Sequence, residues 1–226
     1  MDDPRLRLWE PLFRHALDIF DSVARSEQRL DDWSFGGGTV LMRRYRHRVS
    51  KDVDIFVPDP QWLGYLTPRL NPVAEEKTGD YVEQAGFLKL YFPQGELDFI
   101  VAAPLTRPPW RAETIMGRTI LVESPAEIIG KKLKHRGAAL RARDILDIAI
   151  VVERAPQSLR VLAPIFAEQR SAVLQRLASG EAALREDFAQ LDVLGSVPGY
   201  DDCVARLRAL FPAPGKRTSR KNSARR

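Results

Sequence analysis

Three consecutive glycines in Phe35-Gly36-Gly37-Gly38-Thr39 stand thirteen residues ahead of the alternating segment Asp52-Val53-Asp54-Ile55-Phe56-Val57, and this pairing restricts the fold more than any other part of the chain. The glycines lie between a short extended segment, Trp33-Ser34-Phe35, and a stretch from Val40 to Tyr45 that reads as helix. A strand-to-helix turn of this kind aims backbone N–H groups into one small volume, which makes it an anion cradle. It is not a Walker A loop, because no Gly-Lys-Ser/Thr follows at the required spacing. In a strand, period two places Asp52 and Asp54 on one face and Val53 and Ile55 on the other. One face must then be buried while the other carries two carboxylates about 7 Å apart, which repel each other unless a cation lies between them. Hard divalent ions such as Mg²⁺ take carboxylate oxygens and also bind substrate phosphates. An isolated Asp-x-Asp would by default be a solvent-facing edge strand, but the glycine turn and helix just before it reverse that and favour the cation-binding reading. A third acid stands in Gly95-Glu96-Leu97-Asp98-Phe99-Ile100, where Asp98 could lie beside the first strand; Glu96 shares its face and competes for the same role.

The rest of the chain divides by pattern. Leu12, Phe13, Ala16, Leu17, Phe20 and Val23 recur at helical spacing over residues 8 to 26, which predicts an amphipathic first helix packed on the sheet. From Trp33 to about Val122 short extended segments dominate, with turns at Pro93-Gln94-Gly95 and about Gly117. Ser124-Pro125-Ala126-Glu127 supplies an N-cap, a first-turn proline and a capping-box acid. Helices are then expected at about 125–136, 141–154, 158–177, 180–192 and 200–210. The division is a lobe over 1–122, a helical lobe over 123–212 and a basic tail, 213–226, expected to be disordered.

Composition narrows the setting. The chain has 226 residues, 44% of them hydrophobic, enough for a large core. Its longest uncharged stretch, Trp33 to Met42, is half of the roughly 20 residues that a membrane helix needs. The acidic, then mixed, start is not a secretory signal, and the single cysteine, Cys203, allows no internal disulfide. A cytoplasmic protein with no membrane partner is expected. Of the net charge of +5, Lys216, Arg217, Arg220, Lys221, Arg225 and Arg226 supply six units, so the body is close to neutral. Such a tail binds phosphate backbones, or simply aids solubility.

The string Phe35-Gly-Gly-Gly-Thr-Val-Leu followed by His47-Arg48-Val49-Ser50-Lys51-Asp52-Val53-Asp54 resembles the AbiEii/AbiGii toxin family within the DNA polymerase beta-like nucleotidyltransferase superfamily. A second block is similar too: Lys131-Lys132-Leu133-Lys134-His135-Arg136, then Arg143-Asp144-Ile-Leu-Asp147. The resemblance covers residues 30 to 150. It implies an α+β fold, with a polymerase beta-like lobe built on a mixed central sheet and followed by an all-helical lobe. It also implies transfer of a nucleoside monophosphate from a nucleoside triphosphate to an acceptor hydroxyl, assisted by Mg²⁺ or Mn²⁺. The acceptor would be RNA, tRNA among the candidates, and the protein would be the toxin of a type IV toxin–antitoxin or abortive-infection pair with a cognate antitoxin. A small-molecule or protein acceptor, or a degenerate nucleotide-binding member, are the rival readings. By the same resemblance Asp52, Asp54 and Asp98 are metal ligands and catalytic residues, joined by Lys132. Gly37, Gly38, Thr39, Arg48, Ser50, Arg136 and Asp144 would bind the nucleotide.

A helical wheel tests the second block. With Ile128 at 0°, Lys132 and Arg136 fall at about 40° and 80°, inside the apolar sector, whereas Lys131 and Lys134 fall at about 300° and 240°. Lys132 and Arg136 should therefore be buried and paired with Asp144 and Asp147, and Lys131 should point away. His47 is expected to be structural or to contact phosphate, and Cys203 to be a small core residue. Trp62, Tyr65 and Trp110 are placed in proline-rich connections, half-buried or stacked on a base.

Overall fold

The computed structural model describes residues 3–25, 30 and 32–211, and the basic tail lies outside the described residues. After a short 3-10 turn at Pro4–Arg7 comes α1 (Glu10–Arg25). Strand β1 (Ser34–Gly36) runs straight into α2 (Gly37–Tyr45), so the helix begins at the glycines rather than at Val40. Then follow β2 (Val53–Val57), α3 (Gln61–Leu66), α4 (Pro72–Lys77), β3 (Tyr81–Gln84), β4 (Phe87–Phe92), β5 (Gly95–Val101), β6 (Trp110–Ile115) and β7 (Arg118–Glu123).

The strands form one mixed sheet in the order β3-β4-β5-β2-β1-β7-β6. β2 pairs parallel with β5 and β1 parallel with β7, while the other pairings are antiparallel. Along β2 the alternation is as expected: Val53, Ile55 and Val57 are buried and Asp54 and Phe56 only partly so. The apolar face is covered by α1, with Phe13 against Phe35 at 4.7 Å and Phe20 edge-on to Phe99 at 5.6 Å between ring centres. Both expected hairpins form, β4–β5 and β6–β7. The second turns on Met116 and Gly117 with φ of 51° and 78°, the positive values a tight hairpin demands.

Beyond the sheet lie α5 (Pro125–Arg136), α6 (Ala142–Arg154), α7 (Ala163–Ser179), α8 (Glu181–Ala189) and α9 (Tyr200–Ala209). Ser124 caps α5 by accepting from the Glu127 N–H at 3.1 Å. The helix expected over 158–177 is instead a 3-10 turn, Pro156–Leu162, followed by α7, because the chain restarts at a second first-turn proline, Pro164. Two short helices, α3 and α4, and the strand β3 add to the expected elements. α4 starts on Asn71, whose side chain accepts from Val73 and Ala74 N–H groups ahead of Pro72. Trp62 and Tyr65 stand on α3, and Trp110 opens β6, so none of the three belongs to a loop. Cys203 is buried in α9, where burial pushes its thiol up to about 11, as a core residue. Among the described residues no helix is long and apolar enough to cross a membrane.

Candidate functional site

The polar face of the sheet and one side of α5, from Ile128 to Arg136, enclose a cleft of about 220 Å³. Its floor is set by the glycines. Gly37 has φ of +69°, open to glycine at little cost, and a Cβ there would overlap Asp54 Oδ2. A Cβ on Gly36 would overlap Glu123 Oε2, and one on Gly38 would overlap the Arg48 guanidinium. Backbone can therefore approach three functional side chains only because no side chain projects from this turn. Thr39 is fully buried; its hydroxyl donates to the Asp52 carbonyl at 2.5 Å and lies 3.1 Å from Ser50 Oγ. It ties the first turn of α2 to the segment carrying Asp52, and its hydroxyl is already engaged inside the protein.

Asp54 and Asp98 are register partners across β2 and β5, so their side chains leave the same face at neighbouring positions. Burial in the cleft raises Asp54 against the pull of Lys132 and Arg136. Asp98 is pushed up to about 6, first by burial and then by Asp54. Lys89 on β4 donates to Asp98 Oδ2 at 2.9 Å and also bonds the Glu96 carboxylate, while Asp98 Oδ1 is buried without a hydrogen-bond partner. Asp52 stands just before β2. Its Oδ1 accepts from the Glu96 N–H at 3.1 Å, and Arg143 reaches its Oδ2 at 3.7 Å. The structure thus brings Asp54 and Asp98 together on adjacent strands; Asp52 and Glu96 line the same cleft, Asp52 bonded to the Glu96 N–H and Glu96 sharing Lys89 with Asp98.

Above the acids, Lys132 Nζ donates to Asp144 Oδ1 at 2.5 Å and lies 3.1 Å from Asp147 Oδ2. Arg48 grips Asp147 with two bonds of 2.7 and 2.8 Å, and His47 Nε2 meets the same carboxylate at 2.7 Å. Burial alone would raise Asp147, but Arg48, Lys132 and His47 outweigh it and hold the carboxyl well below the usual range. Asp144 is likewise lowered, Lys132 overcoming the effect of burial. Asp144 is fully buried, so it reaches the cleft only through Lys132. His47 is fully buried and does not line the cleft, which fits the structural role. Arg48 and Ser50 line the cleft beside Gly38; Arg136 lies at its mouth, half-exposed and 3.8 Å from Asp144.

The wheel misplaces Lys131, and it buries Arg136, whose side chain is part-exposed at the end of α5. The Lys131 side chain is buried, bonded to Glu123, 3.5 Å from Glu127 Oε1 and 3.6 Å above the centre of the Phe56 ring. Helix α5 is packed on more than one side, so its apolar sector does not mark the only buried face. Sequence reasoning also passes over Lys89 and Glu123. Alternation in Phe87-Leu88-Lys89-Leu90 carries a signal for the first, which shares the outward face with Phe87 and Tyr91. Trp62, Tyr65 and Trp110 do not line the cleft.

Hard oxygen donors, a carboxylate pair on adjacent strands and an unpartnered Asp98 oxygen fit a divalent cation. Among the described residues, however, no three acidic, histidine or cysteine side chains already converge on one point a metal could occupy.

The family described as nucleotidyl transferase AbiEii toxin, type IV TA system, matches residues 23–212. Two Helicobacter pylori crystal structures share the fold, each 14% identical to this chain. One, taken for a nucleotidyltransferase, has a TM-score of 0.51 over 93% of this chain and 94% of its own. The other, JHP933, has a TM-score of 0.50 over 93% and 91%. No curated protein matches the sequence.

Proposed function

The chain belongs to the AbiEii nucleotidyltransferase toxin family of type IV toxin–antitoxin systems, and from that membership we propose that it transfers a nucleoside monophosphate from a nucleoside triphosphate to an RNA hydroxyl. The observation that carries this reading is the Asp54–Asp98 pair facing the Gly37–Gly38 turn, with Lys132 on the helix above. The N–H groups at the start of α2 receive the triphosphate, since a helix N-terminus favours negative charge. Lys132, fixed by Asp144 and Asp147, neutralises the charge that grows on the departing pyrophosphate, and Arg48 and Arg136 flank the same phosphates. Thr39 and Ser50 act by bracing the turn against the Asp52 segment.

In the reaction the acceptor oxygen bonds to the α-phosphorus, the bond to the bridging oxygen of the β-phosphate breaks, and pyrophosphate leaves. Asp98 accepts the hydroxyl proton; a carboxyl pushed up to about 6 is a stronger base than an ordinary aspartate yet still mostly ionised at neutral pH. Asp54 and Asp98, with Asp52 if its carboxylate turns from the Glu96 amide, would hold Mg²⁺ or Mn²⁺. When bound, that ion supplies charge neutralisation at the phosphate oxygens and acidifies the attacking hydroxyl.

An RNA acceptor, tRNA included, is favoured by Arg136, Arg141 and Arg143 lining the cleft and by six basic residues in the last eleven of the chain. A cognate antitoxin is the partner that family membership implies. The test is incubation of the protein with each α-labelled nucleoside triphosphate, Mg²⁺ and total RNA, beside Asp54→Ala. Label entering RNA with the wild type alone supports the reading. Label entering protein or a small molecule instead overturns the RNA acceptor, and nucleotide binding without transfer to anything overturns the enzyme.

A further inference from the structure

The row of residues that crosses the sheet through the cleft does not end at Asp54. Lys89, Asp98, Asp54 and Gly36 are successive register partners on β4, β5, β2 and β1. Beyond Gly36, the carboxylate of Glu123 at the end of β7 lies in the space a Cβ on Gly36 would take. The row is thus acid, acid, glycine, acid, and the space over the glycine is taken by the Glu123 carboxylate and the edge of the Phe56 ring. Strand spacing puts the β7 backbone about 10 Å from that of β2, and the Glu123 side chain reaches back over Gly36 into that interval.

Glu123 is fully buried, yet its two oxygens differ. Oε1 accepts from Lys131 and, at 3.2 Å, from Ser34 Oγ. Oε2 has no hydrogen-bond partner among the described residues, although its residue lines the cleft. A buried carboxylate oxygen left without a donor costs more than one in water. Lys131 is fully committed to Glu123, Glu127 and the Phe56 ring, so it is not available to supply the missing bond. Phe56, against Gly36 beside the Glu123 carboxylate, and Ile128 add apolar surface to the same cleft. Apolar surface and one unanswered acceptor suit a flat or ring-shaped group that brings an N–H or O–H donor. Phosphates do not suit it, because they bring only acceptors.

We propose that Glu123 is the specificity-determining residue of the nucleotide site, its Oε2 accepting a hydrogen bond from the nucleoside while the triphosphate lies at the glycine turn. The donor is the ribose 2′-hydroxyl or a base N–H, and both present the same chemistry to the carboxylate. The inference rests on the nucleotidyltransferase reading of the same cleft. Ser34 and Lys131 fix the orientation of the carboxylate, and Gly36, with no side chain, leaves room for it over the sheet.

The experiment compares kcat/KM for the four nucleoside triphosphates, their 2′-deoxy forms and analogues lacking the exocyclic amine, in wild type and Glu123→Gln. Glutamine keeps the volume but can present an amide N–H where the carboxylate presents an acceptor. The expected result is a selective loss, roughly tenfold or more for the preferred nucleotide and little for those lacking the donor, so that the preference collapses. Loss of discrimination against 2′-deoxy forms identifies the ribose as donor, and loss of discrimination among bases identifies the base. Equal loss for every nucleotide would mean that Glu123 is only structural and would overturn the proposal. If Glu123→Gln folds poorly, Gly36→Ala, which pushes a methyl into Oε2, must shift the preference in the same sense. Wild type that turns over no nucleotide refutes the enzymatic reading itself, a different outcome from equal loss.

Discussion

Asp98 is the register partner of Asp54 across two parallel strands, and Asp54 raises the cost of ionising Asp98 inside a cleft that already disfavours charge. The same closeness that suits a cation therefore strains the pair when no cation is bound. Because the folded value for Asp98 lies above the unfolded one, the folded state keeps a proton that the unfolded state has released between pH about 4 and about 6. Stability from this group falls as pH rises through that window and stays low above it.

Asp98→Asn should then be more stable than wild type above pH 6, with a gain on the order of 1–2 kcal/mol that vanishes near pH 4. Loss of the charged partner of Lys89 trims the gain, since Glu96 remains to hold that ammonium. Transfer activity should fall by roughly 10²–10⁴-fold with the proton acceptor gone. Thermal melts from pH 4 to 8 with a parallel transfer assay check both halves; a variant no more stable at pH 7.5 than wild type would contradict the account.

Gly37→Ala should abolish transfer and destabilise the fold by about 1–3 kcal/mol, because the methyl meets Asp54 and the φ of +69° suits glycine. Gly64→Ala makes the control, as nothing lies within 4 Å of a Cβ there. Equilibrium binding of a labelled triphosphate separates the two: binding by Gly37→Ala at wild-type affinity would remove the glycine turn from the nucleotide site.

Much of this site is legible in the amino-acid sequence. The strands of Asp54 and Asp98 and the faces they use follow from period two, which is a property of the backbone, but Glu96 shares the face of Asp98 and only the pairing of β2 with β5 sets Asp98 opposite Asp54. The partnership of Lys132 with Asp144 and Asp147 is legible for a similar reason: a buried cation needs an anion, and the next helix has only those two on its apolar length. Lys131 and Glu123 are not legible, because their burial depends on what packs around α5 and at the end of β7. α3 and α4 escape sequence reasoning since six residues make less than two helical turns, and β3 because its residues are mostly exposed and carry no apolar alternation. The 3-10 turn at Pro156–Leu162 shares the apolar pattern of the helix it precedes, so only the proline positions distinguish them.

Asp147 holds together the segment leading into β2 and the helical lobe, with Arg48, His47 and Lys132 all bonded to its buried carboxylate. Asp147→Asn should cost on the order of 3–5 kcal/mol, since it leaves buried cations short of an anion. Because the folded carboxyl is depressed, wild type enjoys this stabilisation fully above pH about 4 and loses it as acidity increases below that. The difference in melting temperature between wild type and Asp147→Asn should accordingly be largest near neutrality and shrink toward pH 3. A constant difference across that range would show that packing, not charge, carries the effect.

Removal of residues 216–226 takes away six positive charges and leaves a body with 29 basic and 30 acidic residues. Small nucleotides are held in the cleft, whose lining residues all precede the tail, so triphosphate affinity should not change. A polyanionic acceptor behaves differently. Each lost phosphate contact flattens the dependence of log affinity on log salt by about 0.7 for single-stranded RNA. The truncated chain should therefore show a raised KM for RNA at low salt, converging on wild type as salt increases and screening removes the advantage of the tail. Transfer rates measured from about 50 to 500 mM salt, with RNA varied at saturating triphosphate, test this. Identical salt slopes for the two chains would reduce the tail to a solvated appendage and leave Arg136, Arg141 and Arg143 as the charges that meet the acceptor.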